Sequence, residues 1–227
     1  MKTTVRILLG IAICFMTYVC VMSIMTPIKF EEKKTQRENA IIKNLMHIRT
    51  AEGEFRTQKG YYTADLDSLI LFLKTAPKKE VLKEGALTEA QLEAGLTEEK
   101  AVKIVAKGNA KEIKANGLEG FKRDTVYTNM IKSLYKGEFN EDNIEKIIYV
   151  PYTDNVRFEV ETNNAYQTDR GIKVPLIEVR TPYETYLKDL DDQERVNLID
   201  KETKLDHYPG LKFGSIIAPN NNAGNWE

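Results

Sequence analysis

"AIIKNLMHIRTAEGEFRTQKGYY", residues 40–62, decides how the chain folds. Ile41, Leu45, Ile48, Ala51 and Phe55 recur at steps of four, three, three and four, the spacing of one helix face. Ile42 and Met46 widen that stripe, and His47 sits beside it as a boundary residue. Gly60, which tolerates left-handed angles, ends the helix. After Tyr61 and Tyr62, Thr63 or Asp65 caps "DLDSLILFLK", whose Leu66, Leu69, Ile70 and Leu73 are predicted to fold back on the stem.

Toward the amino terminus the character changes twice. "FEEKKTQREN", Phe30 to Asn39, is almost wholly polar or charged, so residues 27–39 are predicted to stand in water as an exposed stem. Glu31, Glu32 and Glu38 lie early in this helix and Arg56 and Lys59 late, as its dipole favours. Pro27 is placed to kink or end the preceding helix. That helix, the uncharged run Ile7–Met25, is long enough at about 1.5 Å per residue to cross a hydrocarbon core of about 30 Å. Residues 1–26 therefore read as a transmembrane anchor. A cleaved signal is the rival, with Lys2 and Arg6 as its charged start. The apolar run is longer than such peptides need, and no A-x-A site follows. Lys2 and Arg6 flank one end and Lys29, Lys33, Lys34 and Arg37 the other, so the positive-inside rule does not decide the orientation and its count leans toward a cytoplasmic body. A single-pass protein of the inner (cell) membrane with a periplasmic body is the expectation.

"LMHIRTAEGEFRTQKGYYTADLDSLILFL", residues 45–73, following a membrane helix, resembles the stem and neck of type IV pilins and the pseudopilins of type II secretion. The likeness covers the N-terminal third. The processing motif of those families is absent: Gly10 is followed by Ile-Ala-Ile-Cys, and no acidic residue precedes Glu31. The resemblance implies an α+β body in which the stem helix is cradled by a small antiparallel sheet. It also implies a subunit or accessory of a secretion- or pilus-like envelope assembly, acting by protein association. The tail, with "YPGLKFGS" and "NNNAGNWE", resembles uncharacterised envelope proteins of Bacteroidota-type bacteria.

The rest of the chain agrees with an α+β class over residues 40–227. The stretch from about 76 to 120 is rich in helix formers, with Thr88 and Gln91 as a capping box and Thr97 opening another helix. It reads as a helical and loop insertion. From Phe121, "FKRDTVYTNM", "KIIYVPYT", "VRFEVETN" and "GIKVPLIEVRTP" alternate apolar and polar residues and read as strands of one small sheet. "YETYLKDLDDQERVNLIDKE" reads as a loop and a helix, and the segment after it leaves little room for a regular element. Trp226, the single tryptophan, is expected to dock back on the body.

Chemistry is sparse. Net charge is −1 with both signs interleaved, which gives no basic face for nucleic acid. Both cysteines, Cys14 and Cys20, lie in the apolar run. Beyond it stand only His47, His207, Ser68, Ser133 and Ser215 as triad material, with no nucleophile elbow, zinc motif or phosphate loop around them. No catalytic residues or cofactor sites are assigned, and no enzyme is expected. Asp189, Asp191, Asp192 and Glu194 are the metal candidates, since calcium takes several carboxylate oxygens from one turn. Some pseudopilins hold calcium in a late loop, and the bland alternative is a helix cap. Membrane lipid along residues 7–25 and protein partners, a second copy among them, are the expected contacts. A ligand- or polymer-binding body using Tyr61, Tyr62, Tyr149, Tyr152, Tyr183 and Tyr186 is the alternative.

Overall fold

The computed structural model of the chain describes residues 2–227. Its first element, α1 (Lys2–Lys59), is a single helix of 58 residues, about 87 Å long. Pro27 lies inside it. The proline removes one backbone hydrogen bond, and the helix continues through it. The apolar side chains from Val5 to Met25 are exposed. Among the described residues α1 is the one helix long and apolar enough to cross a membrane.

Beyond Pro27, burial starts earlier than the polar sequence implies. Phe30 is only 6 % exposed, and Arg37 and Glu38 are tied to the body by hydrogen bonds. Residues 27–39 are thus an exposed stem only in part. A single aromatic residue among charges gave no periodic signal. The predicted stripe is buried at Ile41, Leu45, Ile48, Ala51 and Phe55, whereas of the two residues expected to widen it Ile42 is half-buried and Met46 is exposed. Gly60, at φ 85°, turns the chain out of the helix. Asp65 then caps α2 (Leu66–Thr75) by accepting from the N–H groups of Asp67 and Ser68, both at 3.2 Å. Phe72 of α2 meets Phe55 of the stem edge-to-face at 4.9 Å.

The chain forms two compact units, one of residues up to Phe72 together with Glu141–Glu227, the other Leu73–Asn140. The second unit holds β1 (Pro77–Glu84), α3 (Glu89–Glu93), α4 (Glu98–Ala106), α5 (Ala110–Ala115), β2 (Lys122–Asn129) and α6 (Met130–Tyr135). The two helices expected between residues 76 and 120 are there as α3 and α4, with the Thr88–Gln91 capping box formed, and α5 is a further helix opened by the Asn109 cap. The strand β1 is a correction to that reading. "PKKEVLKE" has Val81 as its single strongly β-favouring residue, yet it pairs antiparallel with β2 from Pro77↔Asn129 to Glu84↔Lys122. Long-range pairing outweighs local preference here. Ala101, Leu118 and Phe121 form this unit's small core.

The first unit resumes at Glu141. "KIIYVPYT", read as a strand, contributes an isolated bridge from Tyr149 to Arg157, and its start, Lys146–Ile148, belongs to a 3-10 turn over Ile144–Ile148. Its buried Ile144, Ile147 and Ile148 follow helical rather than alternating spacing, and the turn packs on α1. Three strands follow: β3 (Glu159–Asn163), β4 (Leu176–Pro182) and, after α7 (Tyr183–Tyr186) and α8 (Asp192–Lys204), β5 (Gly210–Gly214). They form an antiparallel sheet in the order β3-β4-β5. The expected single sheet is therefore two, with β2 belonging to the other unit. β5 was not expected at all. Its end glycines explain the omission and the fit: a Cβ on Gly210 would lie 2.3 Å from the Thr181 carbonyl oxygen, and one on Gly214 2.0 Å from that of Ile177. Glycine looks like loop in sequence, but here it lets β5 close on β4.

β5 lies against α1, and Ile177, Val179, Leu211 and Phe213 are buried with the stem stripe. Leu45→Ala should cost about 2–4 kcal/mol of stability. Met46→Ala, at a site 45 % exposed, should cost less than about 0.5 kcal/mol. Urea unfolding of the purified chain measures both; equal losses would contradict the stem's role as spine.

Candidate functional site

Lys34, Glu38 and Ile42 follow one another at four-residue steps on α1 and form one wall of a cleft of about 540 Å3. The end of α8 and the turn after it supply Glu202, Asp206 and His207. Asp206 adopts φ 56°, which swings the chain from α8 toward β5. Leu211 and Lys212 of β5 and Tyr183 of α7 form the floor. The C-terminal tail closes the far side. Asn225 stands in for a strand there: its N–H donates to the Lys212 carbonyl, its Oδ1 accepts from the Lys212 N–H, and its Nδ2 donates to the Gly210 carbonyl. Trp226 folds back over Gly224, where a Cβ would lie 2.5 Å from the indole ring. The expected docking of the tail is present.

The charges of this cleft are unevenly satisfied. Lys34 turns its ammonium to Glu31, at 2.9 and 3.2 Å from the two carboxylate oxygens. Lys212 is 3.1 Å from Glu178 and sits 5.6 Å over the ring of Tyr208. Glu38 receives only a long hydrogen bond, 3.4 Å, from the Tyr186 hydroxyl. Burial raises the Glu38 pKa; Lys34 opposes that rise, and Glu31 and Glu202 add to it. Burial also raises the Tyr208 hydroxyl to about 12, with Glu159 and Glu178 adding and Arg180 opposing. Burial and the nearby carboxylates push Tyr183 and Tyr186 up further. Glu202 has the exposed ring of His207 at 3.1 Å. Among the described lining residues none is serine, threonine or cysteine.

The four metal candidates are spread over separate tasks. Asp189 takes both terminal nitrogens of Arg37, at 2.5 and 2.7 Å, and that guanidinium holds its pKa at about 2. Asp191 caps α8 by accepting from the Glu194 N–H at 3.1 Å. Asp192 pairs with Arg195 at 2.7 Å. Among the described residues no three His, Cys, Asp or Glu side chains are arranged to hold a metal ion.

Most of the tyrosines singled out in sequence serve packing. Tyr62 is buried, its hydroxyl accepting from Arg56 and from Asn222, and Asn164 bonds both its N–H and its carbonyl. Tyr149 lies under Arg157 and Tyr152 under Arg37. Tyr183 alone of that set lines the cleft, while Tyr208, Trp226 and Glu38 were missed as site residues. They come from segments distant in sequence, and only the fold brings them together. No family model, curated protein or solved structure matches the chain.

One further buried group escaped the sequence. Glu52, on the stripe one turn beyond Ile48, is 0 % exposed. Its Oε2 accepts from the Thr63 N–H at 3.2 Å, and its Oε1 has no partner. Burial raises its pKa to about 8, the Thr63 bond opposing. The folded state therefore holds a proton that the unfolded chain releases above the ordinary carboxyl range. Stability is fully present below about pH 4.5, falls as pH rises toward 8, and levels above it. Glu52→Gln should remove most of that fall, on the order of a few kcal/mol. Melting temperatures from pH 5 to 8.5 test this; parallel curves for the two proteins would refute it.

Proposed function

We propose that the chain is a single-pass membrane protein whose pilin-like body acts by association, as a subunit or accessory of a secretion- or pilus-like envelope assembly. One observation carries this reading. The exposed apolar half of α1 and the buried half that forms the spine of the body are one unbroken helix. A helix apolar all round and uncovered by its own chain needs lipid or another helix about it. Phe30 is buried only about 6 Å of helix rise beyond Thr26, so the body would stand close to the headgroups. The proposed compartment is the cell membrane, with the body on its outer, periplasmic side.

Alkaline extraction of membranes from a bacterial host making the full chain should leave the protein in the pellet, and a variant lacking residues 2–26 should move to the supernatant. A full chain released by alkali would overturn the anchor. A phosphatase fused after Glu227 should be active if the body is outside. Lateral association has its own readout, because Cys14 and Cys20 are exposed on different faces of α1. Oxidative cross-linking in membranes should give dimers through one of them. Loss of the dimer in Cys14→Ala or Cys20→Ala, but not both, would identify the face; no dimer under any oxidant counts against a second copy.

The cleft favours a second reading, a membrane-tethered body that binds a ligand. Its walls combine aromatic rings with the weakly partnered carboxylates of Glu38 and Glu202, a composition suited to recognition.

A further inference from the structure

The cleft's two lysines are already engaged, Lys34 by Glu31 and Lys212 by Glu178. An anionic ligand would find no free cation in them. The carboxylates are in the opposite condition. Glu38 is half-buried and, among the described residues, forms no ion pair. Glu202 has only a histidine ring beside it. A half-buried carboxylate held only by a long hydroxyl hydrogen bond, or by one imidazole, carries a cost that a cationic ligand relieves.

The size and the walls narrow the cation. No group of three ligating side chains converges on a point among the described residues, so a single metal ion is a poor match. A space of about 540 Å3 bounded by Tyr183, Tyr208, Trp226, Ile42 and Leu211 suits an organic molecule with apolar carbon between its charges. The cleft already shows how it treats such a group. Lys212 places its ammonium over the Tyr208 ring while a carboxylate takes its hydrogens. Aromatic face and carboxylate together are the recognition chemistry of alkyl-ammonium groups.

We infer that this cleft binds alkyl-ammonium groups, those of a free polyamine or of lysine side chains in a peptide, against Glu38 and Glu202 and between the rings of Tyr183, Tyr208 and Trp226. The inference rests on the ligand-binding reading and leaves the anchor untouched; membrane extraction would be unchanged by its failure.

Trp226 is the chain's only tryptophan, so its fluorescence reports on the cleft itself. The full chain in neutral detergent at 150 mM salt (about 8 Å screening length) is titrated with spermidine and, in a separate arm, with acetyl-lysyl-lysine amide. Saturable change in Trp226 emission with one arm tighter than the other supports the site and identifies the source of the ammonium group. Glu38→Gln and Glu202→Gln should each weaken binding at least about tenfold, or about 1.4 kcal/mol. Asp169→Asn, an exposed acid in a hairpin outside the cleft lining, should change nothing. Circular dichroism melts establish that each variant is folded. Emission that does not saturate in either arm overturns the proposal. Folded Glu38→Gln and Glu202→Gln chains that bind as the parent does also overturn it, as does equal weakening in Asp169→Asn.

Discussion

A helix surrounded by apolar side chains and a helix with an apolar stripe obey different demands, and α1 is both in succession. Its front has no covering from its own chain, whereas from Phe30 onward one face is covered by the body. Because no break separates them, the orientation of the front fixes the orientation of the spine. The sheet, the 3-10 turn and the tail are arranged about the rear of this one rod. Amphipathic helices ordinarily adjust to the core they join. Here the core must adjust to the helix.

The polar residues flanking the stripe make that adjustment specific. Arg37 donates to the Tyr186 carbonyl as well as to Asp189. Asn44 donates to the Tyr149 carbonyl, at the mouth of a turn where Tyr152 and Asn155 take positive φ. Arg49 donates to the Asn222 carbonyl and pairs with Glu227 at 2.6 Å. Each ties down a segment that has little regular structure of its own. Backbone carbonyls in such segments need partners, and long side chains on a rigid helix supply them at fixed positions. The apolar stripe provides the adhesion, and these polar contacts determine which loop lies where.

This division explains what could be read in advance. The stripe from Ile41 to Phe55, the glycine stop and the Asp65 cap are local signals with local causes, and the structure contains them. The 3-10 turn was misread because isoleucines at 144, 147 and 148 suit a strand by type while their spacing suits a helix. β1 and β5 were invisible because one is charged and the other glycine-bounded, and each exists through its partner strand. The cleft was out of reach for the same reason: its walls run from Lys34 to Trp226. Glu52 had a signal, its place on the stripe beside Ala51. Polar type outweighed position in that reading.

The cleft's surplus of acid also has its origin in the sheet. On the outer face, Glu161 stands opposite Glu178 and Arg180 opposite Lys212, like charges in register, which alone would oppose pairing. The same register sets Glu159 directly opposite Arg180, and further contacts run diagonally, Arg180 to Glu161 and Lys212 to Glu178. Arg180 reaches Glu159, Glu161 and Glu178 together, and Glu178 is shared with Lys212. A guanidinium, with five donors spread over a planar fork, is well suited to bridging three carboxylates. Balancing this face draws the Lys212 ammonium onto Glu178, and the same move withdraws it from Glu38 and Glu202 across the cleft. A Lys212 ammonium turned inward would instead lie among Glu38, Glu202 and Asp206 and reduce the negative charge of the cleft. The register of three short strands therefore sets the sign of the cavity beside them.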